Sequence, residues 1–353
     1  MAEEPVLVTG ATGFIGSELT SQLLTAGYTV RGTTRNPEEK LAAVLNSLDG
    51  AKERLTLHKA DLTEPGSFEE AAAGCEYVMH VASPYVVNVE DPRRDLLDPA
   101  VNGTLNVLNA ASRAGSVKRV VLTSSFAAMM RPAELGVFTE EDWNDRDSLD
   151  RSPYNYSKTM AERAAWEYVD GGGAGFDLVV INPPGVIGPS LVPRVNETDS
   201  FFIGLTNGTQ PVVVLVDWPF VDVRDVALAH IRAIERPKAS GRYLTAAGNA
   251  TSAQIKAYGQ EVLGDRYKFP RIHLDGPVGT AIARALIRLQ PSSIRGFLYD
   301  TVGRPHVVDN SKIRRELGIQ FRDLGDSIRA TWRDLDRLGF LGRRVKTGDL
   351  ATG

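Results

Sequence analysis

The chain has 353 residues, 42% of them hydrophobic and 24% charged, enough for one large α/β unit with an added lobe or for two modest domains. Its 40 basic and 44 acidic residues are mixed along the chain and leave a net charge of −4, so there is no basic footprint for nucleic acid and no polybasic membrane anchor. One cysteine, Cys75, excludes an intrachain disulfide and suits a reducing compartment, and the five histidines lack the paired spacing of a zinc site, so no metal is expected.

MAEEP runs directly into VLVTG without a leader pattern, and no apolar run approaches the ~20 residues that span a bilayer, so a cytoplasmic protein is expected. Residues 5–9 (PVLVT) predict a short buried strand and 14–26 an amphipathic helix stopped by Gly27. Strand two is expected over 28–33, then a helix over 37–48 with proline in its first turn. Strand three (54–62), a short helix (65–73), strand four (77–82) and a long helix through 95–114 follow. Strand five covers 117–124, a helix 153–170 and strand six 176–182. Such alternation, with near-continuous apolar strands, predicts an α/β fold with a doubly wound parallel sheet covered by helices on both faces, a Rossmann fold. Beyond 184 the regularity weakens, with a strand expected at 212–216 and helices at 222–236 and 251–264.

The stretch from Thr9 to Gly16, TGATGFIG, joins the first strand to the first helix with glycines at 10, 13 and 16. In that setting Gly10 makes the tight turn, Gly13 lets the backbone approach a pyrophosphate and Gly16 lets the helix pack closely on the sheet. Thr12, Phe14 and Ile15 complete a loop whose helix N-terminus offers free N–H groups to phosphates. The cofactor is therefore expected to be a dinucleotide. An acid at the end of strand two would hold the ribose hydroxyls of NAD, but the stretch TVRGTTR ends in Arg35, with no acid before Glu38. Arg35, helped by Arg31 or Lys40, suits the 2′-phosphate of NADP(H). Asp61, next to Leu62 at the end of strand three, is placed to accept a hydrogen bond from the adenine amine. Residues 1–184 are then the NADP-binding domain, and 185–353 mainly a smaller substrate-binding lobe interleaved with the sheet, with 222–245 returning to it.

RSPYNYSK (151–158) opens the helix that follows strand five. Tyr154 and Lys158 are four residues apart and share a helix face; Tyr156 does not share it. A phenol, with an ordinary pKa of about 10, needs help to move a proton near neutrality, and an adjacent ammonium supplies it by stabilising the phenolate. Strand five ends in LTSSF, which offers two serines to hold a substrate oxygen.

In this order TGATGFIG, VLTSS, Tyr-x-x-x-Lys and INPPGVIGP resemble an extended short-chain dehydrogenase/reductase. More narrowly, VRGTTR, HKADL, GCEYVMHVASP, VNGTLNVL, FVDVRDVALAH and GRYL resemble the dihydroflavonol reductase-like group, from residue 5 to about 335. That group includes plant flavonoid and cinnamoyl-CoA reductases and microbial aldehyde and methylglyoxal reductases. The resemblance implies catalytic roles for Ser125, Tyr154 and Lys158, with Lys158 also holding the nicotinamide ribose. It implies that Ala82 and Ser83 contact the cofactor at the end of strand four, and that Pro183 and Val186 pack on the nicotinamide. The NWYCYGK-like signature of plant cinnamoyl-CoA reductases is absent, and no counterpart of the flavonoid-binding polar residues stands out.

Substrate contacts are expected from loops beyond the strand ends, offering Tyr85, Phe126, Met129, Met130, Phe201 and Phe202. An apolar, Met-rich wall suits an aromatic or aliphatic carbonyl compound better than a sugar nucleotide, whose diphosphate calls for clustered cations. The expected activity is NADPH-dependent reduction of an aldehyde or ketone, aromatic or flavonoid-like, by a monomer or homodimer. The alternative is an NAD(P)-dependent nucleotide-sugar epimerase or dehydratase. The missing acid after strand two and the single arginine in VPRVNETDS count against it.

Overall fold

The computed structural model describes residues 4–84, 89–131, 136–290 and 292–342, apart from the side chains of 40–41 and 292–294. Seven strands form the main sheet: β1 (Val6–Thr9), β2 (Val30–Thr34), β3 (Leu55–Lys59), β4 (Tyr77–His80), β5 (Arg119–Thr123), β6 (Asp177–Asn182) and β7 (Gly241–Leu244). Their order across the sheet is β7-β6-β5-β4-β1-β2-β3, and every pair is parallel. The order reverses between β1 and β4, which opens a crevice beyond their carboxyl ends, the usual ligand position in such sheets.

The helices that frame the site are α1 (Phe14–Thr25), α2 (Asp98–Ala114), α3 (Pro153–Asp170), α4 (Glu197–Asn207), α5 (Val223–Glu235), α6 (Ser252–Leu263) and α7 (Leu324–Arg337). Parallel strands cannot expose either face without stranding apolar side chains in water, so helices cover both. On one face α1 and α5 bury Leu19, Leu23, Val226 and Ala229 against Val6, Val8, Val121 and Val179. On the other, α2 and α3 bury Val107, Leu108 and Ala165 against Leu7, Val78, Val120 and Val180. Each fully buried valine or leucine among them contributes about 1.5–3 kcal/mol. Cys75 belongs to this second core, where burial pushes its thiol up to about 11 and makes it an inert small hydrophobe.

A second sheet of three short strands, Gly248–Thr251, Asp217–Asp222 and Gly185–Ile187, supports the lobe. Its core gathers α4, α6 and α7 around Trp332, which is fully buried, packs 5.1 Å from Phe202 and donates its indole N–H to Ile255 O at 3.0 Å. The chain leaving Gly185–Ile187 is tied to α7 by Gly188 N–H to Thr331 Oγ1 (2.8 Å) and Ser190 N–H to Asp334 Oδ2 (2.9 Å). Among the described residues no helix is long and apolar enough to cross a membrane.

Candidate active site

The loop between β1 and α1 is shaped by its glycines. Gly10 has φ +65°, a conformation that favours glycine, and a Cβ built on it would lie 3.0 Å from Ala82 Cα. On Gly16 a Cβ would stand 2.1 Å from Gly10 O, so α1 reaches its place only without a side chain there. Gly13 caps α1, with its N–H donating to Gly10 O at 2.9 Å. Phe14 is buried, and Ile15, partly buried, packs against the sheet core. Thr9 knits the loop to the end of β4: its Oγ1 accepts from Val81 N–H (3.1 Å) and Ala82 N–H (3.0 Å). With both acceptor positions used, the Thr9 hydroxyl donates to His80 Nδ1 at 2.9 Å. Burial first, then the Lys158 charge, push His80 down to about 3, so it stays neutral.

A cleft of about 410 Å³ runs from this loop across the ends of β2 and β3, and Gly10, Thr12, Arg35, Asp61, Leu62 and Ala82 all line it. Thr12 and Thr34 bridge it through their hydroxyls at 3.2 Å. Burial works to raise the Asp61 carboxyl, but bonds from the Thr63 N–H and hydroxyl, with the Arg35 charge nearby, leave it net lowered. Arg31 does not join this group. It lies near the start of β2, away from the carboxyl end that borders the cleft, and its guanidinium donates to the carbonyls of Ala71 and Ala73. That corrects the expectation of Arg31 as a phosphate ligand. Lys40 begins the helix Lys40–Asn46. The tight glycine turn, the close Ala82 backbone and a cleft ending at Arg35 fit a dinucleotide with an extra phosphate.

At the other end of the crevice stands α3. Its first turn is fixed by Asp147, whose fully buried side chain accepts from Asn144 Nδ2 (2.7 Å), Asn155 Nδ2 (3.0 Å) and Arg151 Nη1 (2.5 Å). Arg151 also grips both oxygens of Asp300 at 2.8 Å, which draws the C-terminal part of the chain to the start of α3. Tyr154 is 39% exposed, and Lys158 Nζ lies 5.8 Å from the centre of its ring. Lys158 also donates to Ser83 Oγ at 2.6 Å, joining α3 to the segment after β4. Burial pushes the Lys158 ammonium down to about 8, while the Glu197 carboxylate of α4 acts in the opposite sense.

The two serines after β5 separate in role. Ser124 is buried and donates to Glu162 Oε2 at 2.5 Å. Ser125 caps the short turn Phe126–Ala128 by accepting from Ala127 N–H at 3.1 Å, which leaves its own hydroxyl hydrogen to give. Pro183 O holds the same turn through Phe126 N–H at 2.9 Å, and Val186 sits in the strand Gly185–Ile187 against the main core.

The expected substrate wall is not where the residue types suggested. Phe126, Met129 and Met130 are fully buried with Phe138, Leu244 and Ala246, filling the space under the turn after β5. Phe202 is likewise core, against Trp332, while Phe201 is half-buried and edge-on to Phe202 at 6.2 Å. A run of large apolar residues beyond a strand reads the same whether it lines a pocket or fills a core. Tyr85 lies outside the described residues.

Several participants had not been singled out. Glu162 lies one turn beyond Lys158 and accepts from Ser124, Asn182 Nδ2 (2.8 Å) and Arg242 Nε (2.5 Å). Its i+4 spacing from Lys158 was a signal, but its partners on β6 and β7 are far away in sequence. Glu197 and Arg194 come to the crevice from the lobe, Arg194 into the cleft that holds Arg35.

Residues 6–245 match the family described as NAD dependent epimerase/dehydratase. The chain is 46% identical over 245 residues to cinnamoyl-CoA reductase CAD2 of Medicago truncatula, covering 67% of this chain and 74% of that one. It is 34% identical over 333 residues to the bifunctional dihydroflavonol 4-reductase/flavanone 4-reductase of Malus domestica, covering 90% and 86%. Among solved structures it resembles Gre2 of Candida albicans in complex with NADPH, with a TM-score of 0.78, 28% identity and coverage of 95% and 99%. The chain belongs to the NAD dependent epimerase/dehydratase family, and within it to the extended short-chain dehydrogenase/reductases, beside the cinnamoyl-CoA and dihydroflavonol reductases.

Proposed function

We propose that the chain is an NADPH-dependent reductase that converts an aldehyde or ketone to an alcohol. The observation that carries this reading is the Lys158 ammonium 5.8 Å from the Tyr154 ring, at the end of a crevice that also holds the Gly10 loop and Arg35. The reductase relatives and the NADPH-bound neighbour support it.

NADPH, when bound, supplies the hydride. Gly10, Thr12, Gly13 and Gly16 with the α1 N-terminus hold its pyrophosphate, Arg35 its 2′-phosphate and Asp61 its adenine. Pro183 and Val186 back the nicotinamide, and Lys158 holds the nicotinamide ribose. Ser125 donates its hydroxyl hydrogen to the substrate oxygen and fixes its place. Tyr154 gives its phenolic proton to that oxygen as negative charge develops, and the ammonium of Lys158 stabilises the phenolate left behind. Ser83 and Glu197 keep that ammonium in position from two sides. A single buried cysteine suits a reducing, cytoplasmic setting.

The test is NADPH oxidation by the purified chain across aromatic aldehydes, α-ketoaldehydes and dihydroflavonols. Tyr154→Phe should lower the rate by about 10²–10⁴-fold while NADPH affinity changes little. A Tyr154→Phe chain that reduces the best substrate at the wild-type rate refutes the assignment.

A further inference from the structure

Arg194 is the single arginine of VPRVNETDS, a stretch in which a substrate diphosphate would have called for several. It lines the same cleft as Arg35, Asn36 and Asp61, and its Nη2 is 3.8 Å from Glu39 Oε2 across that cleft. Its support is firm: Val192 and Val195 on either side are buried. The preceding turn is tied to α7 through Gly188 and Ser190, and the next residues form the capping box of α4, Asn196 with Asp199.

We propose that Arg194 and Glu39 together set the preference for NADPH over NADH, with Arg194 acting as a second guanidinium for the 2′-phosphate opposite Arg35. This rests on the NADP reading above. Four residues past Arg35, Glu39 brings a carboxylate into the part of the cleft where an acid would bind the ribose hydroxyls of NAD. Left uncompensated, it would repel a 2′-phosphate and favour a free ribose. Arg194 pairs with it, Nη2 lying 3.8 Å from its Oε2, and so offsets that charge beside the position of the 2′-phosphate. Both side chains remain partly exposed, at 23% for Arg194 and 49% for Glu39, so an entering ligand can reach them. Asp95, also on this cleft, is paired with Arg94 at 2.6 Å and adds little repulsion. Arg194 lies between the lobe strand Gly185–Ile187 and α4, so cofactor recognition extends onto the lobe that carries Glu197 toward Lys158.

The experiment is calorimetric binding of adenosine 2′,5′-bisphosphate and of 5′-AMP, which differ only in the 2′-phosphate, to the full chain. Wild type should prefer the bisphosphate, and Arg35→Ala should lose that preference. Arg194→Gln should weaken the bisphosphate about tenfold or more and leave 5′-AMP within about twofold. Adding Glu39→Gln to Arg194→Gln should recover part of that loss, and Arg194→Lys should fall between. A wild-type chain without preference removes the NADP reading and this inference with it. A wild-type preference that Arg194→Gln retains in full, or equal losses for the two ligands, overturns the inference alone.

Discussion

Replacing Glu162 by glutamine removes one charge from the centre of the network that holds α3 against the sheet. Oε1 accepts from Arg242 Nε at 2.5 Å and Trp166 Nε1 at 3.4 Å; Oε2 accepts from Ser124 Oγ at 2.5 Å, Asn182 Nδ2 at 2.8 Å and Arg242 Nη2 at 3.4 Å. Whichever oxygen becomes the amide NH2, it meets at least two N–H donors; the Ser124 hydroxyl can turn to accept, and Asn182 only by flipping its amide and giving up its bond to Ser125 O. The Arg242 guanidinium, 7% exposed beside a fully buried Glu162 side chain, then lacks its counter-charge and is left with neutral partners: the remaining amide oxygen, the carbonyls of Glu140 and Asp142 and the Trp143 ring, 3.9 Å away. Breaking a buried pair by one partner costs about 3–5 kcal/mol, a large share of the ~5–15 kcal/mol that holds a typical domain. Urea unfolding should show this as a lower midpoint at unchanged slope. Ser124→Ala, which removes a single donor, should cost about 1 kcal/mol. The double change Glu162→Leu with Arg242→Met should be less costly than the sum of its parts, because it leaves no buried charge unpaired. A loss below about 1 kcal/mol for Glu162→Gln, or full additivity in the double change, would refute the reasoning.

Three further outcomes follow from the geometry. Because burial pushes Lys158 down to about 8, its charge is present below that pH and is lost as pH rises through it. The reduction rate should therefore fall on the alkaline side with an apparent pKa near 8, and Lys158→Arg should extend the plateau if it stays active. Gly16→Ala, with its Cβ 2.1 Å from Gly10 O, should destabilise the chain by about 3 kcal/mol and abolish dinucleotide binding; a stable variant with wild-type NADPH affinity would contradict the close-packed loop. Burial raises Asp199 to about 7, helped by Asp334, against 3.8 for an ordinary aspartate. A group raised on folding holds its proton in the folded state and loses it in the unfolded one, so stability should decline as pH climbs from about 4 to 7 and level off above. Asp199→Asn should flatten that slope, read as melting temperature against pH.

The doubly wound sheet was legible because its strands are continuous apolar runs that alternate with helices bounded by proline and glycine, as at Pro153 and Gly115. The helix expected over 153–170 is α3 with those bounds, with Pro153 at its first turn and Gly171 after its last. The lobe was not legible to the same degree. Its strands Gly185–Ile187 and Gly248–Thr251 have three and four residues, too few to show a period, and they exist because Asp217–Asp222 pairs with both. The same limit explains the Met129 and Phe126 reading, since hydrophobicity does not say which side of a turn is filled.

Local sequence alone determined what each short segment could do. A Gly10–Gly13–Gly16 loop can only turn tightly against a strand, and Tyr154 and Lys158 must share a face once their helix forms. Tertiary structure decided which charges meet. Arg242 reaches Glu162 across 80 residues and Arg194 reaches Glu39 across 155, and nothing in the intervening sequence encodes either pair. The reason is physical: helix and turn geometry act over a few residues, whereas a charge finds its partner only after the sheet order and the packing of the lobe have brought distant segments into one space.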